Sequence, residues 1–204
     1  MERTDNYKIQ AMQAKQRFLT YDQQKLIHKL HLKADEEYLY TALFTQPYRI
    51  HRATGDLERL EEDVWTDANT FGEVMTLLDL VCDSREDRFL RGRWKNMGEF
   101  GLLFHRNLLE GQKDPWAETF AGDPEGFRRA CLALGGRELP NGDMAYAIEV
   151  FDGLCILLQL WFGDEEFPAN LRFLWDENAT MYIRYETMYY ARGILLDRIE
   201  KRMQ

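Results

Sequence analysis

Apolar and polar positions repeat along this chain with two periods, and the places where the period changes mark its elements. The opening stretch DNYKIQAMQAKQRFL, Asp5–Leu19, combines good helix formers with apolar residues at helical spacing, and predicts a helix. After Thr20-Tyr21-Asp22, the segment QQKLIHKL predicts a second, short helix. Around Leu32 the period changes. EYLYTALF (Glu37–Phe44) is aromatic and β-prone, Gln46-Pro47 interrupts it, and YRIHR (Tyr48–Arg52) alternates. Ala53-Thr54-Gly55-Asp56 then supplies a turn before LERLE, so the region reads as a small antiparallel meander.

Thr70 and Glu73 have the spacing of a capping box, in which a hydroxyl and a carboxylate satisfy free backbone N–H groups at a helix start. The predicted helix carries Phe71, Val74, Leu78 and Val81 on one face and stops at Asp83-Ser84. From Arg85 to Lys113 the pattern weakens, with glycines at 92, 98, 101 and 111. Asp114-Pro115 and Asp123-Pro124 each predict an N-cap followed by proline at the first helical position, where its missing N–H costs nothing. The second of these helices runs to Gly135-Gly136.

MAYAIEVF (Met144–Phe151), Asp152-Gly153 and LCILLQLWF (Leu154–Phe162) predict a hairpin, because Asp-Gly takes the two positive φ angles of a type I′ turn. The second arm is apolar almost throughout and predicts a central strand covered on both faces. LRFLW (Leu171–Trp175) is the next expected strand, and TMYIRY (Thr180–Tyr185) alternates like another. The closing segment TMYYARGILLDRIEKR predicts a helix with Met188, Ala191, Leu195 and Ile199 facing inward and basic residues at its C-terminal end. Strands and helices follow no βαβ rhythm. The expectation is therefore an α+β fold, with an antiparallel sheet built from an N-terminal meander and C-terminal hairpins, packed with helices and closed by a C-terminal helix. With 204 residues, no repeat and no low-complexity linker, a single domain over residues 1–204 is expected.

Composition narrows the function. The formal charge of −9 repels phosphate backbones, so neither a nucleic acid nor a membrane surface is an expected partner. The densest basic stretch, REDRFLRGRWK (Arg85–Lys95), is broken by Glu86 and Asp87 and reads as a mixed-sign surface loop. Cys82, Cys131 and Cys155 lack C-x-x-C spacing and sit in apolar contexts, as a reducing compartment permits. MERTDNYKIQ has no apolar h-region, and the longest apolar run is too short to span a bilayer, so a cytoplasmic location is expected.

Two places carry candidate chemistry. In WFGDEEFPANLRFLWD, the consecutive acids Asp164, Glu165 and Glu166 follow Gly163 and precede Pro168, which is ordinary turn chemistry. The same acids, with Asp143 and Asp176, supply hard oxygen ligands for a divalent cation, or an acid and a base whose pKa values are pushed apart by repulsion. Phe162 and Phe167 bracket them. The spacing matches no EF-hand, and the turn reading takes precedence. In LGGRELPNGDMAY, two glycines and Arg137 have the makings of an anion site, but they follow a helix rather than open one, so no Walker loop or dinucleotide fingerprint fits. Should Arg137 face Asp164–Glu166, an ion-pair network joins the two motifs.

His28 and His31 are spaced i, i+3 with Asp35 beyond, yet H-E-x-x-H is absent and no metal site is assigned. His51 and His105 read as ordinary polar positions. No G-x-S-x-G or recognisable cysteine nucleophile occurs, and no cofactor is implied. The candidate ligand-binding residues are thus Arg137, Asp143, Asp164, Glu165, Glu166 and Asp176. The preferred reading is a non-catalytic cytoplasmic accessory domain that binds a partner protein or a small ligand. The alternative is a carboxylate-dependent enzyme, metal-assisted by a divalent cation.

GGRELPNGD, WFGDEEFPANLRFLWDENATMYIRYE and LKADEEYLYTALFTQPYRIHRATG resemble a family of uncharacterised prokaryotic domains found mostly in clostridia and other anaerobes. The matching pattern is a Gly-Asp-(Asp/Glu)-Glu-Phe-Pro element followed by an apolar strand and an aromatic-Asp turn. The family has no assigned activity. Some members are fused to a four-cysteine iron–sulfur module of the corrinoid methyl-transfer type, which implies an accessory or binding role in anaerobic one-carbon chemistry. This chain has no such cysteine motif, and no functional residue carries over.

Overall fold

A computed structural model describes residues 3–100 and 114–204; Gly101, His105 and Gly111 lie outside the described residues. The chain forms two compact units, Met1–Arg88 with Met181–Ala191, and Phe89–Thr180 with Arg192–Gln204.

The first unit opens with α1 (Arg3–Thr20) and α2 (Gln23–Leu30). The Asp22 carboxylate caps α2 by accepting from Gln24 N at 3.0 Å and Lys25 N at 3.3 Å, and His31 stops it in the left-handed region at φ 51°. Five strands follow as an antiparallel meander in the order β1 (Lys33–Ala34), β2 (Tyr38–Leu43), β3 (Gln46–His51), β4 (Leu57–Glu61) and β5 (Val64–Asp67). Leu39, Leu43, Tyr48, Ile50 and Leu57 are fully buried on one face, and each contributes about 1.5–3 kcal/mol of apolar burial. α3 (Phe71–Asp83) buries Val74, Leu77, Leu78 and Val81, and α1 packs along it through buried Ala14 and Phe18.

Gln46-Pro47 does not interrupt the strands, as expected from proline, but opens β3. The turn lies one step earlier, at Phe44 and Thr45, both at positive φ (51° and 63°). Pro47 stands beyond the Tyr48–Arg59 pair, opposite Leu60 by continuation of the register, where its missing N–H leaves a carbonyl free. The Gln46 side-chain amide donates to that Leu60 carbonyl instead. The capping box is also only half formed. Thr70 Oγ1 accepts from Glu73 N at 3.3 Å, but the buried Glu73 carboxylate takes the hydroxyls of Tyr48 (2.6 Å) and Thr70 (2.7 Å) and the Arg59 guanidinium (2.5 Å). A charged donor outcompetes a neutral backbone N–H for it.

The second unit holds an antiparallel sheet in the order β6-β10-β9-β8-β7, from β6 (Trp94–Asn96), β7 (Arg137–Glu138), β8 (Met144–Phe151), β9 (Leu154–Trp161) and β10 (Asn170–Asp176). Asp152 (φ 49°) and Gly153 (φ 79°) form the expected two-residue turn, and β9 is central. α4 (Pro115–Gly122) and α5 (Pro124–Ala133) begin as expected, with Asp114 accepting from Trp116 N and Asp123 from Gly126 N. Phe120 stacks on Phe127 at 4.9 Å, and Phe127 meets the edge of Tyr146 at 5.7 Å.

Thr180–Tyr185 is not a strand. Ala179–Met181 is a 3-10 turn, and α6 (Tyr185–Met203) begins at the segment's end. Its alternation reflects two adjacent apolar anchors, buried Tyr182 and Ile183, rather than a pleated face. In α6, Met188, Ala191, Leu195 and Ile199 are buried, the first two belonging to the first unit and the last two to the second. The fold is α+β, and among the described residues no helix is long and apolar enough to cross a membrane.

Candidate functional site

The β9–β10 ladder ends at the Trp161–Asn170 pair, and Phe162–Ala169 connects the strands. Asp164 organises this loop. Its carboxylate Oδ1 accepts from Glu166 N at 2.8 Å and Phe167 N at 2.7 Å, while its own N–H donates to Phe167 O at 2.9 Å. The Phe167 and Glu166 N–H groups hold the Asp164 carboxyl below its usual range. Gly163 is required by a close approach, because a Cβ there would stand 2.8 Å from Ala169 N. Asp143 ties the loop to β8: its Oδ2 accepts from Phe162 N at 2.7 Å, and its N–H donates to Leu160 O at 3.0 Å.

With Asp164 folded into the turn, Glu165 and Glu166 are left exposed, without an ion pair among the described residues. They line an open cleft of about 670 Å³ whose other walls are Phe162, Phe167 and Pro168 of the loop and Glu118, Ala121 and Gly122 of α4. The C-terminal end of α4 borders it and adds the negative end of a helix dipole to three glutamates, with no basic lining side chain among the described residues. Phe162 is 42% and Phe167 67% exposed. The arrangement presents negative charge beside bare aromatic surface.

The other two candidates lie elsewhere. Asp176 ends β10, six residues and about 20 Å along the strand from Asn170 at the usual rise. It is 5% exposed, and its carboxylate accepts from Arg91 N (3.1 Å), Gly92 N (2.7 Å) and Asn178 N (2.8 Å), a pinning role for the chain entering β6. Arg137 is exposed on β7 opposite Ala147, three residues and about 10 Å beyond the Asp143 end of β8. Among the described residues it makes no ion pair with Asp164, Glu165 or Glu166. The loop therefore gathers Asp143, Asp164, Glu165 and Glu166. Glu118 joins them unannounced: Asp114-Pro115 revealed its helix, but not that the helix would end against this loop.

The first unit contains a second polar constellation that sequence reasoning missed. Asp79 on α3 is 1% exposed; it accepts from Arg17 (2.9 Å) and from Thr187 Oγ1, with Arg184 at 3.8 Å. Asp83, one turn on, accepts from Arg17 (2.6 Å), Tyr21 Oη (2.7 Å) and Arg184 (2.7 Å). Burial pushes Asp79 above the usual carboxylate range. Burial pushes Asp83 the same way, but hydrogen bonds from Tyr21 and Arg17 outweigh it and hold Asp83 low. Burial, with Asp83 beside it, pushes the Tyr21 phenol up to about 12.

His28 and His31 have ring centroids 6.4 Å apart, and His31 closes α2; His51 Nδ1 accepts from Ala53 N. Among the described residues no group of three or more His, Cys, Asp or Glu is placed to hold a metal ion, and the three cysteines are unpaired.

Fold and cleft together define an α+β protein with an acidic, aromatic-rimmed surface depression. The sequence profile of a domain of unknown function, DUF3786, matches residues 22–198, and the chain belongs to that family. No curated protein and no solved structure matches it.

Proposed function

We propose that the protein is a non-catalytic cytoplasmic accessory domain, and that its cleft between α4 and the β9–β10 loop receives a basic segment of a partner protein. One observation carries this: Asp164 is used to fold the loop, and what the loop then displays is two exposed glutamates, without ion pairs among the described residues, between two exposed phenylalanines. A lysine or arginine suits such a surface, because its stem covers apolar area while its head meets carboxylates. The carboxylates of Asp143, Asp164 and Asp176 already accept backbone N–H groups, which supports binding over acid–base work. The family match runs through both compact units and supports treating them as one domain. An accessory role also agrees with what the resemblance to module-fused members implies, and the unpaired cysteines agree with a reducing compartment.

The test is fluorescence anisotropy with a labelled Lys/Arg-rich peptide against the full chain and Glu165→Gln/Glu166→Gln. Two rim charges at up to about 1 kcal/mol each predict a loss of up to about thirtyfold in affinity, with weaker salt dependence and an unchanged melting temperature. Equal binding by both proteins, or equal binding of a Glu-rich peptide, overturns the reading. A melting temperature raised by Mg²⁺, Mn²⁺, Ca²⁺ or Zn²⁺ would instead favour the metal-assisted enzyme.

A further inference from the structure

Phe162 and Phe167 are each held in place by an aspartate. Asp143 Oδ2 accepts from Phe162 N at 2.7 Å, and Asp164 Oδ1 accepts from Phe167 N at 2.7 Å. Phe167 O in turn accepts from Asp164 N at 2.9 Å. Two acids that the sequence offers as ligands thus position two rings. The backbone beneath each ring is tied down, yet the two residues stay 42% and 67% exposed. A connection between strands needs no phenylalanine at either place, and apolar area left in water does nothing for folding. Fixing the rings beforehand lowers the ordering cost of whatever covers them.

Glu165 and Glu166 stand between the rings, and Glu118 of α4 lines the same cleft. Among the described residues none of the three has an ion pair. Lysine and arginine differ in what it costs to cover a ring and meet a carboxylate together. An ammonium is compact and strongly hydrated, so seating it on a ring strips water from its donors. A guanidinium is planar, with donor-free faces and five N–H groups along its edges. It lies flat on a ring and still forks onto a carboxylate. The chain uses this arrangement elsewhere. Arg49 lies 4.0 Å from the Tyr38 ring centroid and 4.6 Å from that of Trp65, while its Nε donates to Glu58 at 2.5 Å. Arg172 lies 4.9 Å from the Trp161 ring, and among the described residues each cation seated over a ring is an arginine.

We propose, resting on the role given to the cleft above, that the basic segment it receives is arginine-rich rather than lysine-rich. Guanidinium planes lie on Phe162 and Phe167, and their edges meet Glu165 and Glu166. Asp143 and Asp164 are positioning residues for this contact, because each fixes the backbone of one ring.

Fluorescence anisotropy on the full chain tests this with two labelled peptides of equal length and charge, one basic through arginine alone and the other through lysine alone. A cation over an exposed ring is worth up to about fivefold in affinity, and the guanidinium makes that contact at lower cost, so the Arg peptide should bind at least about threefold tighter. Phe162→Leu/Phe167→Leu keeps apolar area and removes the π faces. It should bring the Arg peptide down to the level of the Lys peptide, whose own affinity changes little. Glu165→Gln/Glu166→Gln should weaken both peptides. Equal affinity for the two peptides in the parent, with both weakened by the glutamate variant, leaves a receptor for basic segments but overturns the selection of arginine. Binding of neither peptide overturns both. An arginine preference that survives in the phenylalanine variant belongs to the carboxylates alone and overturns the role of the rings. The peptide comparison is made on the unmutated protein, so it does not depend on whether a variant folds.

Discussion

Asp79 and Asp83 stand one helical turn apart and titrate in opposite directions because their donors differ. Asp79 is almost fully enclosed and desolvation dominates it; Asp83 retains some solvent and receives Tyr21 and two guanidinium groups. Asp83 is therefore a carboxylate whose folded pKa lies below the unfolded value of about 3.9. Stability from such a group is fully present above about pH 4 and is lost as pH falls through the lower folded value. Asp83→Asn removes the charge-assisted bonds, so it should cost about 1–3 kcal/mol at pH 7. The same variant should lose less stability than the parent on acidification from pH 4 downward. Urea titrations at pH 7 and at a series of lower pH values read both effects. Equal midpoints at pH 7 would mean that these contacts add nothing. In the sequence, Asp79 shows only as a polar position on an apolar helix and Asp83 only as part of its stop; their partners come from distant segments that no local pattern connects.

Turn chemistry decided which elements were legible. Three hairpins use two-residue turns with positive φ at both positions: Phe44-Thr45, Glu62-Asp63 and Asp152-Gly153. Only the last contains glycine, and only there could the sequence place the turn to the residue. At Phe44-Thr45 the buried Phe44 ring and the continuous ladder hold a β-branched residue where it is normally excluded, so Pro47 looked like the break instead. β1, β5 and β6 have two, four and three residues, too few for a period to register, and each lies at a sheet edge. Helices fared better, because Asp22, Asp114 and Asp123 announce their starts chemically. The strain at Thr45 gives a prediction at this scale. Thr45 is exposed and among the described residues its side chain bonds only locally, to Phe44 O, so Thr45→Gly should remove a left-handed penalty of about 1–2 kcal/mol, less up to about 1 kcal/mol for added chain entropy. A small rise in the denaturation midpoint is expected, and a clear fall would show that the turn is held without strain.

At the scale of the whole chain, the family match begins at residue 22, so α1 lies ahead of it. Yet α1 supplies fully buried Phe18 and the Arg17 donors to Asp79 and Asp83, and Tyr21 follows it directly. The matched segment thus contains a buried carboxylate whose charge compensation comes partly from outside it. Removing one partner of such a pair leaves uncompensated charge, and removing Phe18 opens the apolar layer against α3. Truncation of an enclosed phenylalanine alone costs about 3–5 kcal/mol, against a total of about 5–15 kcal/mol for an ordinary domain. A chain of residues 22–204 is therefore expected to lose most of its stability and to expose apolar surface, read as a broad low-temperature melt with dye binding. Phe18→Ala in the full chain is the milder companion, expected to lower the midpoint while keeping a cooperative transition. If residues 22–204 melt like the full chain, the enclosed face of α1 contributes nothing, and Asp79 must be compensated by Arg184 and Thr187 alone.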